Sequence, residues 1–279
     1  MNGVRVEPGA ITLAMAQMRV QPGDPDANLE RAEQSIADAA SLDCDIVVLP
    51  ECLDIGWCDG RAHTLAQPMP GPRMQRLAEA ARRHGVFVAA GLVERAGERL
   101  YNAAVLIDDQ GQLLLHHRKI NEIDAAGGLY AIGDRLGVAH TRLGTIGLDI
   151  CADNLPESLH IGHTLAHMGA QIIVSPSAWA VPPEHDNTAA PYGALWQGAY
   201  RELAKAHQLP VVGVSSVGHV GDGPWRGWPV IGCSMAMAGD GHVAAQCGYG
   251  ADAEALRVVC LALRPLQGVS TPTLEHTAA

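Results

Sequence analysis

Aromatic residues are scarce in this chain. They make up 4% of its 279 residues, and there is a single phenylalanine. The core must therefore be aliphatic and alanine-rich, and each tryptophan near a chemically promising loop gains weight as a pocket candidate. Positive charge is also short. Lys and Arg total 19 against 30 Asp and Glu, a net charge of −11. That balance argues against nucleic-acid binding and against docking on an anionic membrane surface. No apolar run approaches the roughly 20 residues of a membrane-spanning helix. Glu7 and Pro8, ahead of a short apolar run, do not read as a signal peptide. The seven cysteines, Cys44, Cys52, Cys58, Cys151, Cys233, Cys247 and Cys260, are odd in number and contain no CxxC pair. This pattern suits a reducing cytoplasm rather than a disulfide framework.

What remains is 48% hydrophobic and 18% charged, the profile of a soluble globular protein near the upper size for one domain. We expect a single domain over residues 1–279, with its core from about Ile11 to Leu263. A loose extension (Met1 to Gly9) and a tail (Thr271 to Ala279) flank it. The pattern predicts strands at Ile11 to Met18, Ile46 to Leu49, Val86 to Val93, Ile172 to Ser175, Val211 to Ser216 and Leu256 to Leu263. Helices are expected at Asn28 to Ser41, Pro72 to His84, Leu159 to Met168 and Ala190 to His207, and an irregular loop at Ile55 to Met69. Hairpins are expected at Asn102 to Leu115, turning at Asp108-Asp109-Gln110-Gly111, and at Cys233 to Gln246, turning at Gly239-Asp240-Gly241. The order strand, helix, strand, hairpin thus occurs twice. Two mixed sheets face to face, with helices outside and pseudo-two-fold halves, would bury both sets of β-branched residues.

The most informative stretch is Leu148-Asp149-Ile150-Cys151-Ala152-Asp153-Asn154. Thr145 to Ile150 reads as a short buried strand, which Asn154 and Pro156 break before a helical pattern. A cysteine at such a strand-to-helix turn is presented outward, and the next backbone N–H can face a developing oxyanion. Taken alone, Cys151 reads more readily as a buried thiol than as a nucleophile, since free cysteine is among the most buried residue types. Two other stretches alter the balance. Ile46-Val47-Val48-Leu49-Pro50 places Glu51 at a strand tip, where an unpaired buried carboxylate would be costly. Leu113-Leu114-Leu115 leads through His116-His117-Arg118 to Lys119. A thiol needs a proton acceptor, which a buried glutamate can supply, and a lysine beside both can hold an oxyanion.

At these residues the sequence resembles the nitrilase superfamily, the carbon–nitrogen hydrolases. The family's Glu-Lys-Cys triad falls on Glu51 in Leu49-Pro50-Glu51, Lys119 in Arg118-Lys119-Ile120, and Cys151 in Asp149-Ile150-Cys151. Ala16-Gln17, Gly23-Asp24-Pro25, Asn28-Leu29, Gly133-Asp134, Ser175-Pro176-Ser177 and Gly232-Cys233-Ser234 extend the likeness from about Ile11 to Leu263. The resemblance implies an α/β fold, an α-β-β-α sandwich, with no metal or other cofactor. It also implies a small amide-type substrate and a homodimer or larger homo-oligomer, with the helix from Leu159 and the C-terminal tail as candidate contacts.

In the implied chemistry Cys151 attacks an amide carbonyl, Glu51 shuttles the proton, and Lys119 with the N–H of Ala152 holds the oxyanion. N-carbamoyl amines, nitriles and a non-catalytic binding role are the alternatives. The absence of Cys-Trp-Glu at Cys151 disfavours nitriles, and the lack of arginine within Ala152 to His167 disfavours carbamoyl substrates.

A second family glutamate is expected between the lysine and the cysteine. Its usual place holds Ala126 or Gly127, which leaves Glu122, three residues after Lys119, as the possible second carboxylate. Trp57, Tyr130, Asn154 and Trp179 are pocket candidates, and Trp225-Arg226-Gly227-Trp228 reads as an interface loop. Cys52 should face the core, since neighbours in an extended segment point opposite ways. His160, His163 and His167 share one helix face, which suits a polar interface or pocket wall better than a metal site.

Overall fold

A computed structural model describes residues 9–265. Residues 1–8 of the expected extension and the whole expected tail, residues 271–279, lie outside the described residues.

The chain folds into two six-stranded mixed sheets packed face to face. The first runs Ala255–Ala262, Ala10–Gln17, Ile46–Val48, Phe87–Ala96, Arg99–Ile107, Leu113–Arg118 in spatial order. The second runs Val243–Gln246, Met235–Met237, Val211–Ser215, Ile172–Ser177, Gly144–Leu148, Val138–Thr141. Each sheet has three parallel strands at its centre, one antiparallel strand on one side and two on the other. This is the expected pseudo-two-fold arrangement.

The alternation of strand side chains builds the layers. Leu13, Met15, Ile46 and Val48 of the first sheet meet Ile146, Leu148, Val174 and Val212 of the second in the inter-sheet core. The intervening residues Ala14, Ala16, Val47 and Leu49 face outward against Leu29, Ala32, Ile36, Leu77 and Ala81 of helices Pro25–Ser41 and Pro72–His84. Helices His160–His167 and Ala194–His207 cover the other sheet. Central strands buried on both faces explain the near-continuous apolar runs in the sequence. Helix starts follow local chemistry. Asp24 accepts from the Ala27 N–H at 3.2 Å and Pro25 opens the first helix.

Several boundaries differ from expectation. The helix expected from Ala190 begins at Ala194, because Gly193 lies in a left-handed conformation at φ 117°. The strand expected to end at Leu115 continues to Arg118, which puts Lys119 directly at a strand tip. The irregular stretch from Ile55 contains a short helix, Ala62–Leu65. Strand Val138–Thr141 and a small third sheet of Pro229–Ile231, Val217–His219 and Arg19–Val20 are additions to the expected elements. Pieces of two to four residues carry no periodicity to read.

Candidate active site

Glu51, Lys119 and Cys151 follow three different strands and meet at one rim of the sandwich. Glu51 lies three residues past Val48, Lys119 directly after Arg118, and Cys151 three residues past Leu148. Close backbone packing positions the first two. A Cβ on Gly91 would sit 2.5 Å from the Glu51 Cα, and one on Gly133 would sit 2.0 Å from the Arg118 carbonyl oxygen. Only glycine tolerates approaches of that kind. The Glu51 N–H donates to the Ser177 carbonyl at 3.1 Å, tying it to the second sheet.

The Glu51 carboxylate is 1% exposed, and its two oxygens are treated differently. Oε1 accepts from Lys119 Nζ at 2.7 Å and from Asn102 Nδ2 at 2.6 Å. Oε2 is buried without a hydrogen-bond partner among the described residues. Burial works against charge on Lys119, but Glu51, Glu122 and Cys151 outweigh it and hold the ammonium strongly protonated. Burial and the Glu51 charge push the Cys151 thiol well up, while Lys119 and the backbone N–H of Ala178 pull it down. The sulfur therefore rests as a thiol, within hydrogen-bonding reach of Glu51.

Cys151 has φ 44°, in the left-handed region. For a residue with a Cβ this costs about 1–2 kcal/mol, so the surroundings must enforce it. They do so with hydrogen bonds. The Cys151 N–H donates to Ser175 Oγ at 3.0 Å, and Asn154 Nδ2 donates to Asp149 Oδ1 at 2.6 Å and to Ser175 Oγ at 3.1 Å. The 3₁₀ turn Cys151–Asn154 then begins, and N–H groups at the start of such a turn lack an intrahelical partner. Ala152 is the residue whose N–H follows the thiol.

Sequence reasoning misses Asp153, yet this residue joins two parts of the site. Its Oδ1 accepts from the N–H groups of Ile120 (3.1 Å) and Asn121 (2.7 Å), directly after Lys119. Its Oδ2 accepts from the Ile150 N–H at 3.0 Å, directly before Cys151, and contacts His117 Nε2 at 2.9 Å. Burial alone would raise this carboxyl, but His117, the Asn121 N–H and Lys119 hold it below the usual carboxylate range. Asn102, which fixes Glu51, is missed as well. The available signal is a polar residue at the start of an apolar strand, where burial demands a partner.

Glu122 comes close to Glu51 and Lys119. Both its oxygens are buried without hydrogen-bond partners among the described residues. Burial, opposed by Lys119 and reinforced by Glu51 and Asp153, pushes its carboxyl up to about 7.

The pocket candidates divide. Asn154 braces the nucleophile turn. Tyr130 accepts from the Cys58 N–H at 3.1 Å, and Trp57 packs 5.4 Å from Trp225, which stacks on Trp228 at 4.4 Å. Trp179 is buried, stacked on Trp196 at 5.0 Å and 6.3 Å from Tyr192. Cys52 reaches an apolar cluster as expected, but by a different route. It is a turn residue with φ 46°, not extended, and its thiol donates to Asn102 Oδ1 at 3.4 Å. On the helix from His160, His163 Nδ1 lies 2.7 Å from His207 Nε2, and the His167 ring packs on His207.

The buried polar atoms without partners gather here. They include Glu51 Oε2, both Glu122 oxygens, Trp57 Nε1, His117 Nδ1, Asp149 Oδ2 and Asn154 Oδ1. Buried polar groups are ordinarily satisfied, so such a concentration marks a place built to meet something else.

Comparison with known proteins points the same way. The family model described as carbon-nitrogen hydrolase matches residues 12–269. An (R)-stereoselective amidase from Pseudomonas sp. is 30% identical over 238 residues, 85% of this chain and 80% of its own. A nitrilase from Pyrococcus abyssi is 34% identical over 201 residues, covering 70% and 74% of the two chains. Among solved structures, a mutant of the amidase from Nesterenkonia sp. AN1 superposes with a TM-score of 0.78 at 22% identity, covering 94% of each chain. That mutant shows covalent addition of the acetamide moiety of fluoroacetamide at its active-site cysteine. The structural likeness establishes the α-β-β-α sandwich.

Proposed function

The chain belongs to the carbon–nitrogen hydrolase family, and we propose that it is an amidase that cleaves a small carboxamide through a thioester on Cys151 and releases ammonia. The observation that carries this reading is the division of labour on Glu51. Oε1 is held by Lys119 and Asn102, while Oε2 is unpartnered beside a thiol in a left-handed turn. The elevated thiol cannot supply a standing thiolate, so its proton must leave during attack.

Glu51 takes that proton as Cys151 attacks the amide carbon. The oxyanion is met by Lys119 and the N–H of Ala152. Glu51 then protonates the departing ammonia, and a water activated by Glu51 cleaves the thioester. Glu122, a carboxyl near 7, is placed to hold the substrate amide as the second carboxylate. The charged groups acting on Cys58 and Glu122 are Lys119 and the carboxylates of Glu51, Glu122, Asp153 and Asp222. An acidic surround of that kind favours uncharged carboxamides over carboxylate-bearing substrates.

Ammonia release from a panel of small amides, ω-amides, carbamoyl compounds and nitriles tests the reading. Turnover of simple amides that disappears in Cys151→Ala supports it. Amide turnover that survives in Cys151→Ala removes it. Six free thiols, on Cys44, Cys52, Cys151, Cys233, Cys247 and Cys260, support placement in the cytoplasm. No helix among the described residues is long and apolar enough to cross a membrane. Exposed Met168 and Leu195, beside the helices of the second sheet, support a homo-oligomer, which light scattering would measure.

A further inference from the structure

Asp149 takes no part in the chemistry proposed above, yet it lies two residues before the nucleophile with no exposed surface. A carboxyl in that place is expensive unless it does something. Its neighbours show what it holds. Asn154 Nδ2 donates to its Oδ1 at 2.6 Å. Ser175 Oγ in turn accepts from the Cys151 N–H at 3.0 Å and from Asn154 Nδ2 at 3.1 Å. The chain of bonds runs from the Cys151 backbone through the Ser175 hydroxyl oxygen and the Asn154 amide to Asp149.

We propose that Asp149 is a positioning residue: through Asn154 and Ser175 it fixes the peptide between Ile150 and Cys151 and so maintains the left-handed turn that presents the thiol. This rests on the assignment of Cys151 as nucleophile. The geometry is specific. An amide Nδ2 has two protons to give: Asn154 gives one to Asp149 and one to Ser175 Oγ, and that oxygen also accepts from the Cys151 N–H. That commits the Cys151 N–H to Ser175. The N–H of Ala152 remains for the oxyanion. A residue with a Cβ at φ 44° persists only where its surroundings over-determine it.

The protonation state follows from the surroundings. Burial first, then the nearby charge of Asp153, pushes the Asp149 carboxyl up to about 7, against the pull of Ser175, Asn154 and His117. The groups facing it are therefore Asp153 on the nucleophile turn, His117 on strand Leu113–Arg118, and Tyr200 on helix Ala194–His207. Below about pH 7 Asp149 is neutral and positions the turn without adding charge. Above that pH it ionises and places a second buried negative charge, besides Glu51, two residues from Cys151. The thiolate then becomes harder to form, so Cys151 gains less reactivity from alkali than an ordinary thiol.

The test measures alkylation of Cys151 by iodoacetamide from pH 6 to pH 9, followed by peptide mapping in the full-length protein. It compares wild type, Asp149→Asn and Ser175→Ala, with thermal unfolding of each recorded to confirm folding. Asparagine keeps the acceptor and can never ionise. The expected rate ratio of Asp149→Asn to wild type is near one at pH 6 and rises about tenfold by pH 9, because the variant thiol escapes the added negative charge. Ser175→Ala is expected to be slower than wild type at every pH while folded. Parallel pH profiles for wild type and Asp149→Asn, or unchanged alkylation in folded Ser175→Ala, overturn the proposal. Alkylation requires no amide turnover, so a protein inactive on every amide but showing these profiles would refute the amidase reading and leave this one standing.

Discussion

The pseudo-two-fold places a second rim beside the first, joined to it where the Glu51 N–H meets the Ser177 carbonyl, and the two are filled in contrasting ways. Counting from the same strand registers, Ser177 stands where Glu51 stands, Met18 where Cys151 stands, and Tyr249 where Lys119 stands. At the second rim the buried side chain is a neutral amide. Gln17 Nε2 donates to the carbonyls of Gly248 (2.9 Å) and Ala253 (2.6 Å). Its Oε1 accepts from the N–H and the hydroxyl of Ser234 at 3.0 and 2.9 Å. Every polar group of that amide is used. At the first rim a buried ion pair leaves Glu51 Oε2 unused, with the Glu122 oxygens beside it. Satisfying strand ends therefore does not require charge in this fold. The first rim gives up full satisfaction and gains a proton acceptor next to sulfur.

That contrast can be tested hardest by activity. Cys151→Ala is expected to lower amide kcat by at least about 10³-fold, and Glu51→Gln by about 10²–10⁴-fold, while both proteins remain folded. Ammonia release and circular dichroism measured together check this. Lys119→Met should also remove activity, but with a loss of stability of about 3–5 kcal/mol, because the Glu51 charge is left buried and unpaired. Denaturant unfolding reads that loss. At the second rim Gln17→Ala should reverse the pattern. Stability falls by about 1–3 kcal/mol as buried partners go unsatisfied, and kcat stays within about twofold. Comparable kcat losses from Gln17→Ala and Glu51→Gln would erase the distinction between the rims.

The smallest effect concerns the two aspartates flanking Cys151. Asp149, raised to about 7, binds its proton more tightly folded than unfolded, so its contribution to stability falls as pH rises from about 4 to 7. Asp153 is lowered, so its contribution is present at neutral pH and is lost as pH falls through its depressed value. Thermal melts should show Asp149→Asn gaining on wild type between pH 4 and 7. Asp153→Asn should lose ground against wild type at neutral pH and recover as the pH is lowered.

Much of this molecule is legible in its amino-acid sequence. Apolar runs such as Ile46-Val47-Val48 and the Pro-Gly punctuation before Pro72–His84 locate the long elements, because burial on both faces and capping act through local sequence. Glu51, Lys119 and Cys151 stand out as a set, and the fold brings them to one rim. Residues that act across the fold are not legible in the same way. Asp153 binds backbone 32 and 33 residues away, and Asn102 reaches Glu51 across 51 residues. Neither leaves a spacing signature. The third sheet is hidden for the same reason, since its strands of two and three residues gain meaning only by pairing with one another. Cys52 reaches its expected surroundings through a left-handed turn that sequence alternation cannot show.

The most direct test of the central claim is alkylation with fluoroacetamide, fluoride leaving as the S–C bond forms, followed by peptide mapping, with ammonia release from a separate amide substrate assayed as labelling proceeds. The account predicts one acetamide group per chain, on Cys151 and not on the other mapped cysteines, with amide turnover lost in proportion. Label spread evenly over the cysteines, or full turnover with Cys151 completely modified, would contradict it.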